Sequence, residues 1–112
     1  MVFQRNHIEE TVNHIQETWN PKPRVGIVLG SGLGSSVESM DIQAEFPYSD
    51  LPHFPRSTAI GHRGCLLAGE LEGLPVIAMQ GRFHLYEGYT PQQVAFPVHV
   101  MRGLGADLLI VC

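Results

Sequence analysis

A guanidinium, an imidazole, a phenol and a carboxylate lie close together in the segment Gly81-Arg82-Phe83-His84-Leu85-Tyr86-Glu87-Gly88-Tyr89. The segment directly follows an apolar, strand-like run at 74–79, and loops at strand ends often carry binding and catalytic groups. Arg82 and His84 alternate with apolar residues, so in extended backbone both would lie on one side. Arginine can hold a phosphate through two N–H bonds and histidine can donate a third. The segment therefore predicts an anion site, or alternatively a solvated strand end with a surface ion pair to Glu87.

A glycine-rich loop follows the first apolar run, Val25-Gly26-Ile27-Val28-Leu29. Its sequence is Gly30-Ser31-Gly32-Leu33-Gly34, in which the glycines allow backbone N–H groups to approach an anion and Ser31 adds a hydroxyl donor. No Gly-Lys-Ser/Thr follows, which argues against a nucleoside triphosphate loop, and Ser35 occupies the place of the third glycine of the dinucleotide fingerprint. The alternative is a tight turn between a strand and a helix without a ligand.

A third candidate is His62, which lies between two glycines in Gly61-His62-Arg63-Gly64. Taken alone it is an ordinary turn histidine. The histidines outside these motifs show no spacing typical of a zinc site, so we expect no metal. Taken together, however, four side chains favour the same ligand, a single phosphate: Ser31, His62, Arg82 and His84.

Composition limits the class of protein. The chain has 112 residues, 44% of them hydrophobic, with two cysteines and a formal net charge of −4. This is typical of one globular domain or part of one, and the negative charge argues against a nucleic-acid partner. Cys65 and Cys112 are predicted to be reduced, buried thiols. No run of 18 apolar residues and no signal peptide are found, so we expect a cytoplasmic protein that does not contact membranes.

Hydrophobic periodicity predicts alternating helices and strands. Asn6 and Glu9 indicate the start of one helix, and Thr90-Pro91-Gln92-Gln93 indicates a capping box at the start of another. A hairpin turn is expected at Leu71-Glu72-Gly73-Leu74. Strands are expected at 24–29, 44–46, 65–71, 76–80 and 108–112.

The last strand, Leu108-Leu109-Ile110-Val111-Cys112, consists of five consecutive apolar residues. Such a run is typical of a central strand buried on both faces. Because the sequence stops inside it, we expect the chain to be a fragment of a longer protein; a compact domain that ends in a buried strand is the alternative.

Three motifs, in this order, resemble the trimeric purine nucleoside phosphorylases. They are the loop at 30–34, the segment Phe54-Pro55-Arg56-Ser57-Thr58-Ala59-Ile60-Gly61-His62, and Gln80 to Tyr89. The resemblance extends from Val2 to Cys112. It implies an α/β fold with a mixed central sheet flanked by helices, of which residues 1–112 form the amino-terminal part of a single domain. The methylthioadenosine phosphorylases share the fold but resemble the chain less at the first and third motifs.

The resemblance also implies an activity and residue roles. In this family phosphate attacks C1′ of a purine ribonucleoside or deoxyribonucleoside, giving the free base and ribose 1-phosphate for purine salvage. Orthophosphate is a co-substrate and no cofactor is expected. Ser31, His62, Arg82 and His84 would bind phosphate, Tyr86 would contact the ribose, and Glu87 would orient the phosphate and His84, which makes His84 and Glu87 the candidate catalytic pair.

Other family features have no counterpart in these residues. The purine-recognising acid and amide, a further phosphate serine and the group that binds the ribose 5′-hydroxyl follow the strand that ends at Cys112. We therefore expect the isolated chain to be inactive and the full-length protein to be a homotrimer. The preferred base, whether guanine, hypoxanthine or adenine, is not predictable. A non-catalytic phosphate-binding or self-associating fragment is the alternative.

Overall fold

The computed structural model describes residues 5–29, 39–55, 64–81 and 88–111. In chain order the elements are α1 (Arg5–Thr18), β1 (Val25–Leu29), β2 (Asp41–Pro47), a 3₁₀ turn (Tyr48–Asp50), β3 (Cys65–Leu71), β4 (Leu74–Gln80), α2 (Pro91–Leu104) and β5 (Leu108–Val111). The predicted strands and both predicted helices are confirmed. None of the helices in these ranges is long and apolar enough to span a membrane.

The strands form one five-stranded mixed sheet in the order β2-β3-β4-β1-β5. β1 pairs in parallel with β4 on one side and with β5 on the other. β3 is antiparallel to both β2 and β4. The prediction of a mixed sheet with helices is therefore confirmed.

Both helices bury an apolar stripe in the main core. α1 buries Val12 and Ile15, and α2 buries Val100, Met101 and Leu104, together with strand residues that are almost fully inaccessible, such as Leu66 and Ile77. A second cluster, which contains Leu67, Val76 and Ala78, comes from the alternate strand positions. Since successive residues of a strand point to opposite faces, this second cluster indicates that the central strands are buried on both faces.

Capping explains where α2 begins and ends. The Thr90 side chain accepts from the backbone N–H of Gln93, and the Gln93 side chain accepts from the backbone N–H of Thr90, which confirms the predicted capping box. Gly105 ends the helix with a φ of 127°. At α1 the predicted cap is wrong, because Asn6 lies inside a helix that already includes Arg5.

The predicted hairpin joins β3 to β4 through Glu72 and Gly73. Both have positive φ angles, 52° and 81°, which is the conformation of a two-residue turn that matches strand twist. At the same end of the sheet the backbone N–H of Arg24 donates to the Pro75 carbonyl, and that of Asp107 donates to the Arg24 carbonyl. Short connections and backbone hydrogen bonds therefore close this end.

The described sheet does not place β5 at its centre. β5 forms an edge of the described sheet and pairs there with β1 alone. Its side chains remain 41% to 59% exposed. The apolar run predicted burial on both faces because it has no polar alternation, but burial also requires neighbours, and among the described residues β5 has a strand on one side only.

Candidate functional site

Strand register brings the three predicted phosphate segments to one end of the sheet. Leu29, the last residue of β1, pairs with Gln80, the last residue of β4. Gln80 also pairs with Cys65, the first residue of β3. The chain therefore leaves β1 toward Ser31, leaves β4 toward Arg82 and enters β3 from His62 at adjacent positions. This end of the sheet is called the loop end below.

The predicted ligands themselves lie outside the described residues. This holds for all six: Ser31, His62, Arg82, His84, Tyr86 and Glu87. The structure thus fixes where their segments join the sheet, and their roles remain predictions. Parallel α/β sheets bind ligands beyond the carboxyl ends of their strands, and the carboxyl ends of both β1 and β4 lie at the loop end.

Tyr48 connects two of these segments and was not among the residues predicted from the sequence. Its hydroxyl donates to the Gly81 carbonyl at 2.5 Å, and its backbone N–H donates to the Gly64 carbonyl at 3.2 Å. Gly81 directly precedes Arg82, and Gly64 lies two residues after His62. Only 4% of Tyr48 is exposed, so these bonds are largely protected from competition with water.

The two glycines allow this close contact. A Cβ on Gly64 would lie 2.1 Å from Cε2 of the Tyr48 ring, so a side chain there would displace the ring. Gly81 adopts a φ of +95°, in the region that side chains disfavour, and a Cβ there would lie 3.3 Å from the Cα of Gly64. Packing thus explains why glycine occurs at positions 64 and 81: the two backbones approach each other beside one phenol ring.

Aromatic contacts anchor Tyr48 to the main core. Its ring lies 5.4 Å from that of Phe54, which lies 5.8 Å in an edge-to-face arrangement from Phe96 of α2. Burial raises the pKa of the Tyr48 phenol, and the nearby Cys65 adds to the shift. The hydroxyl therefore stays protonated and remains a donor to Gly81 throughout the physiological pH range.

Cys65 lies at the loop end, but its chemistry is that of a structural thiol. Its Sγ donates to the Gln80 Oε1 at 3.4 Å, and the cysteine is free and half-buried. Burial and, to a smaller extent, the charge of Glu45 raise its pKa. A raised pKa disfavours the nucleophilic thiolate. Cys65 is free, as predicted, but it is half-buried rather than buried. Cys112 lies outside the described residues.

Helix α1 contacts residues 52 and 53, which precede the second motif. The buried Thr11 hydroxyl is 2.6 Å from the Pro52 carbonyl, and His53 Nε2 is 2.8 Å from the Glu10 carboxylate. His53 also stacks on His7, with ring centroids 3.9 Å apart. The hydrogen bond from His53 lowers the pKa of Glu10. These contacts join Pro52 and His53 to α1. The described ranges contain no cluster of three or more potential ligands that could hold a metal.

Known proteins share both sequence and fold with this chain. Purine nucleoside phosphorylase 1 of Geobacillus stearothermophilus is 48% identical over 107 residues, covering 96% of this chain and 39% of that protein. Purine nucleoside phosphorylase of Bos taurus is 43% identical over 103 residues, covering 92% and 36% respectively. The chain thus spans about two fifths of the length of these curated relatives.

A solved structure matches equally well. Isoform 2 of purine nucleoside phosphorylase from Schistosoma mansoni, in complex with cytosine and ribose-1-phosphate, superposes with a TM-score of 0.91 at 38% identity. The match covers 99% of this chain and 39% of that one. The predicted nucleoside phosphorylase fold is therefore confirmed. Residues 24–112 also match the phosphorylase superfamily, and the chain belongs to that superfamily.

Proposed function

We propose that this chain forms most of the phosphate half-site of an enzyme that cleaves purine ribonucleosides and deoxyribonucleosides with orthophosphate, in purine salvage. One observation supports the proposal: the strand ends that adjoin the three motifs, Leu29, Gln80 and Cys65, pair at one end of the sheet. The similarity to phosphorylases from three groups of organisms supports the same reaction. The enzyme is accordingly a glycosyltransferase that acts on an N-glycosidic bond.

The proposed reaction needs no covalent enzyme intermediate. A phosphate oxygen forms the new bond to C1′ while the N-glycosidic bond breaks, and the bond electrons leave with the purine, which takes up a proton. The products are the free base and ribose 1-phosphate, or deoxyribose 1-phosphate when the substrate is a deoxyribonucleoside. Because the sugar develops positive charge as the bond breaks, a phosphate held in place stabilises the transition state mainly through positioning and electrostatics.

The proposed residue roles are those that the family resemblance implies. Ser31, His62, Arg82 and His84 hold the phosphate, Tyr86 contacts the ribose, and Glu87 orients the phosphate and His84. The net charge of −4 repels anions at long range, so an arginine fork and N–H donors at close range must supply the attraction. Orthophosphate is a co-substrate in this proposal, which includes no cofactor.

The resemblance extends the proposal to the whole protein. We place it in the cytoplasm as a homotrimer, and expect the purine-reading groups to come from residues that the 112-residue chain does not contain. For that reason the chain alone should not turn over nucleosides, because a purine without a proton donor at its ring nitrogen leaves slowly.

A non-catalytic, self-associating chain is the second candidate. The exposed apolar edge β5 favours it, since exposed flat apolar strands pair with other chains. Both candidates can apply to the same polypeptide. It would act as part of the enzyme when β5 is covered, and it would self-associate when β5 is exposed.

The test uses a hybrid in which residues 1–112 replace the matching part of the Geobacillus stearothermophilus relative. We expect inosine or guanosine cleavage only when phosphate or arsenate is present, measured by release of the free base.

Arg82→Ala should raise the phosphate KM by on the order of 10-fold or more, because a charge-assisted hydrogen bond contributes roughly 1.5–3 kcal/mol. Glu72→Ala, in the hairpin at the opposite end, is the matched control and should leave that KM unchanged. Equal rates without phosphate would indicate a hydrolase and contradict the proposal.

A further inference from the structure

Tyr48 lies outside all three phosphate motifs, yet it contacts the flanks of two of them. Its hydroxyl is bonded to Gly81 and its backbone N–H to Gly64. These two residues approach each other beside its ring. One buried residue therefore contacts both strand ends at the loop end, in addition to the Cys65–Gln80 pairing between the strands.

We propose that Tyr48 is a positioning residue for phosphate, which holds the segments of His62 and Arg82 in the relative arrangement that binds the anion. The inference rests on the proposed function. Tyr48 does not touch the reacting atoms in this proposal; it acts through the backbone at Gly64 and Gly81.

The geometry explains why a tyrosine is needed. The ring fills the space left by the missing Cβ of Gly64, and its contact with Phe54 ties it to the core. Phenylalanine could make these packing contacts, but only the hydroxyl can donate to the Gly81 carbonyl. The buried position also matters, because a hydrogen bond that excludes water restrains the two ends more effectively than an exposed one.

Loss of the hydroxyl should affect phosphate affinity more than the chemical step. Without the bond, the strand ends can adopt arrangements that separate the phosphate ligands, and the apparent affinity falls in proportion to the fraction of binding-competent molecules. The size of the effect is bounded by the hydrogen bond itself. Loss of a neutral hydrogen bond of ordinary strength can weaken the apparent phosphate affinity by about 2- to 12-fold.

The experiment compares two near-isosteric substitutions in the hybrid enzyme. Tyr48→Phe and Thr11→Val each remove one buried hydroxyl. That of Tyr48 is bonded to the Gly81 carbonyl, and that of Thr11 to the carbonyls of His7 and Pro52. We expect Tyr48→Phe to raise the phosphate KM by about 5-fold, with kcat at saturating phosphate nearly unchanged. Thr11→Val should lower the unfolding temperature to a similar extent and leave the phosphate KM unchanged.

Gly64→Ala tests the same contact from the other side. Its Cβ would meet the Tyr48 ring at 2.1 Å and must displace it, so the phosphate KM should rise at least as much as in Tyr48→Phe. Combining both substitutions should add little, because they disturb one contact.

Two outcomes would overturn the inference. An unchanged phosphate KM in Tyr48→Phe, with the same loss of thermal stability as Thr11→Val, would make Tyr48 a core residue only. Thermal stabilisation of the hybrid by phosphate provides a readout that does not depend on turnover. If phosphate stabilises the unsubstituted hybrid and Tyr48→Phe equally, this inference alone fails; if it stabilises neither, the proposed phosphate site fails with it.

Discussion

The two edge strands of the described sheet differ in how they meet solvent. β2 carries Asp41, Gln43 and Glu45 among its exposed positions and buries Phe46. Its register shifts between Ile42 and Ala44, which is a β-bulge. Charges and bulges are features that discourage an edge strand from pairing with another chain.

β5 has none of these features. Its residues Leu108–Val111 are all apolar and all exposed, and they pair regularly with β1. The contrast indicates that β2 is adapted to remain an edge, whereas β5 is suited to being covered. The chain spans about two fifths of the length of its curated relatives.

The strongest test of this contrast is the association state of the 112-residue chain by itself. We expect the chain to self-associate or precipitate, because β5 offers both unpaired backbone groups and apolar side chains. Ile110→Lys should shift it toward monomer, while Ile42→Lys on β2 should not. Sedimentation of the three proteins at equal concentration provides the measurement. A clean monomer without any substitution would contradict the expectation.

Local patterns were sufficient to predict most of the framework. Alternation and apolar runs located the strands, and Thr90 with Gln93 located the start of α2, because these signals depend on residues that are close in sequence. The position of β5 could not be predicted in this way. An apolar run specifies burial, but the number of neighbouring strands depends on residues elsewhere in the chain.

The residues of the candidate site likewise differ in whether their roles depend on local sequence or on distant contacts. The motifs around Ser31, His62 and Arg82 were predicted from side-chain chemistry, and the register of β1, β3 and β4 supports their convergence. Tyr48 was missed because its role depends on contacts 16 and 33 residues away, at Gly64 and Gly81. Its sequence surroundings, Pro47-Tyr48-Ser49-Asp50, resemble an ordinary polar turn.

A second prediction concerns how β2 is held at its bulge. A Cβ on Gly69 would lie 1.9 Å from the Asp41 carbonyl oxygen, so Gly69→Ala must push backbone away from backbone. We expect it to destabilise the hybrid by about 1–3 kcal/mol, as overpacked sites do. Gly103→Ala in α2 is the matched control. Its Cβ would meet the methyl group of Val12 at 2.9 Å, and the gain in helix propensity offsets part of that crowding.

The urea midpoints of the two variants, at equal protein concentration, decide the comparison. A larger loss for Gly69→Ala would confirm that close backbone packing shapes the β2 edge. Equal losses of stability would mean that β2 moves aside to accommodate the new methyl group. Close packing would then not determine the position of this edge strand.

The smallest expected effect concerns the bulge residue itself. Gln43 accepts a 2.8 Å hydrogen bond from the indole N–H of Trp19, which is only 4% exposed. Gln43→Ala removes the acceptor and should cost about 1 kcal/mol. Gln43→Glu keeps an acceptor oxygen and should restore most of the loss. Trp19 is the single tryptophan of the 112-residue chain, so its fluorescence in the Ile110→Lys background reports the contact directly. A red-shifted emission in Gln43→Ala, reversed in Gln43→Glu, would show that this hydrogen bond holds the bulge of β2 against the end of α1. Identical spectra in all three proteins would show that β2 keeps its position without this bond.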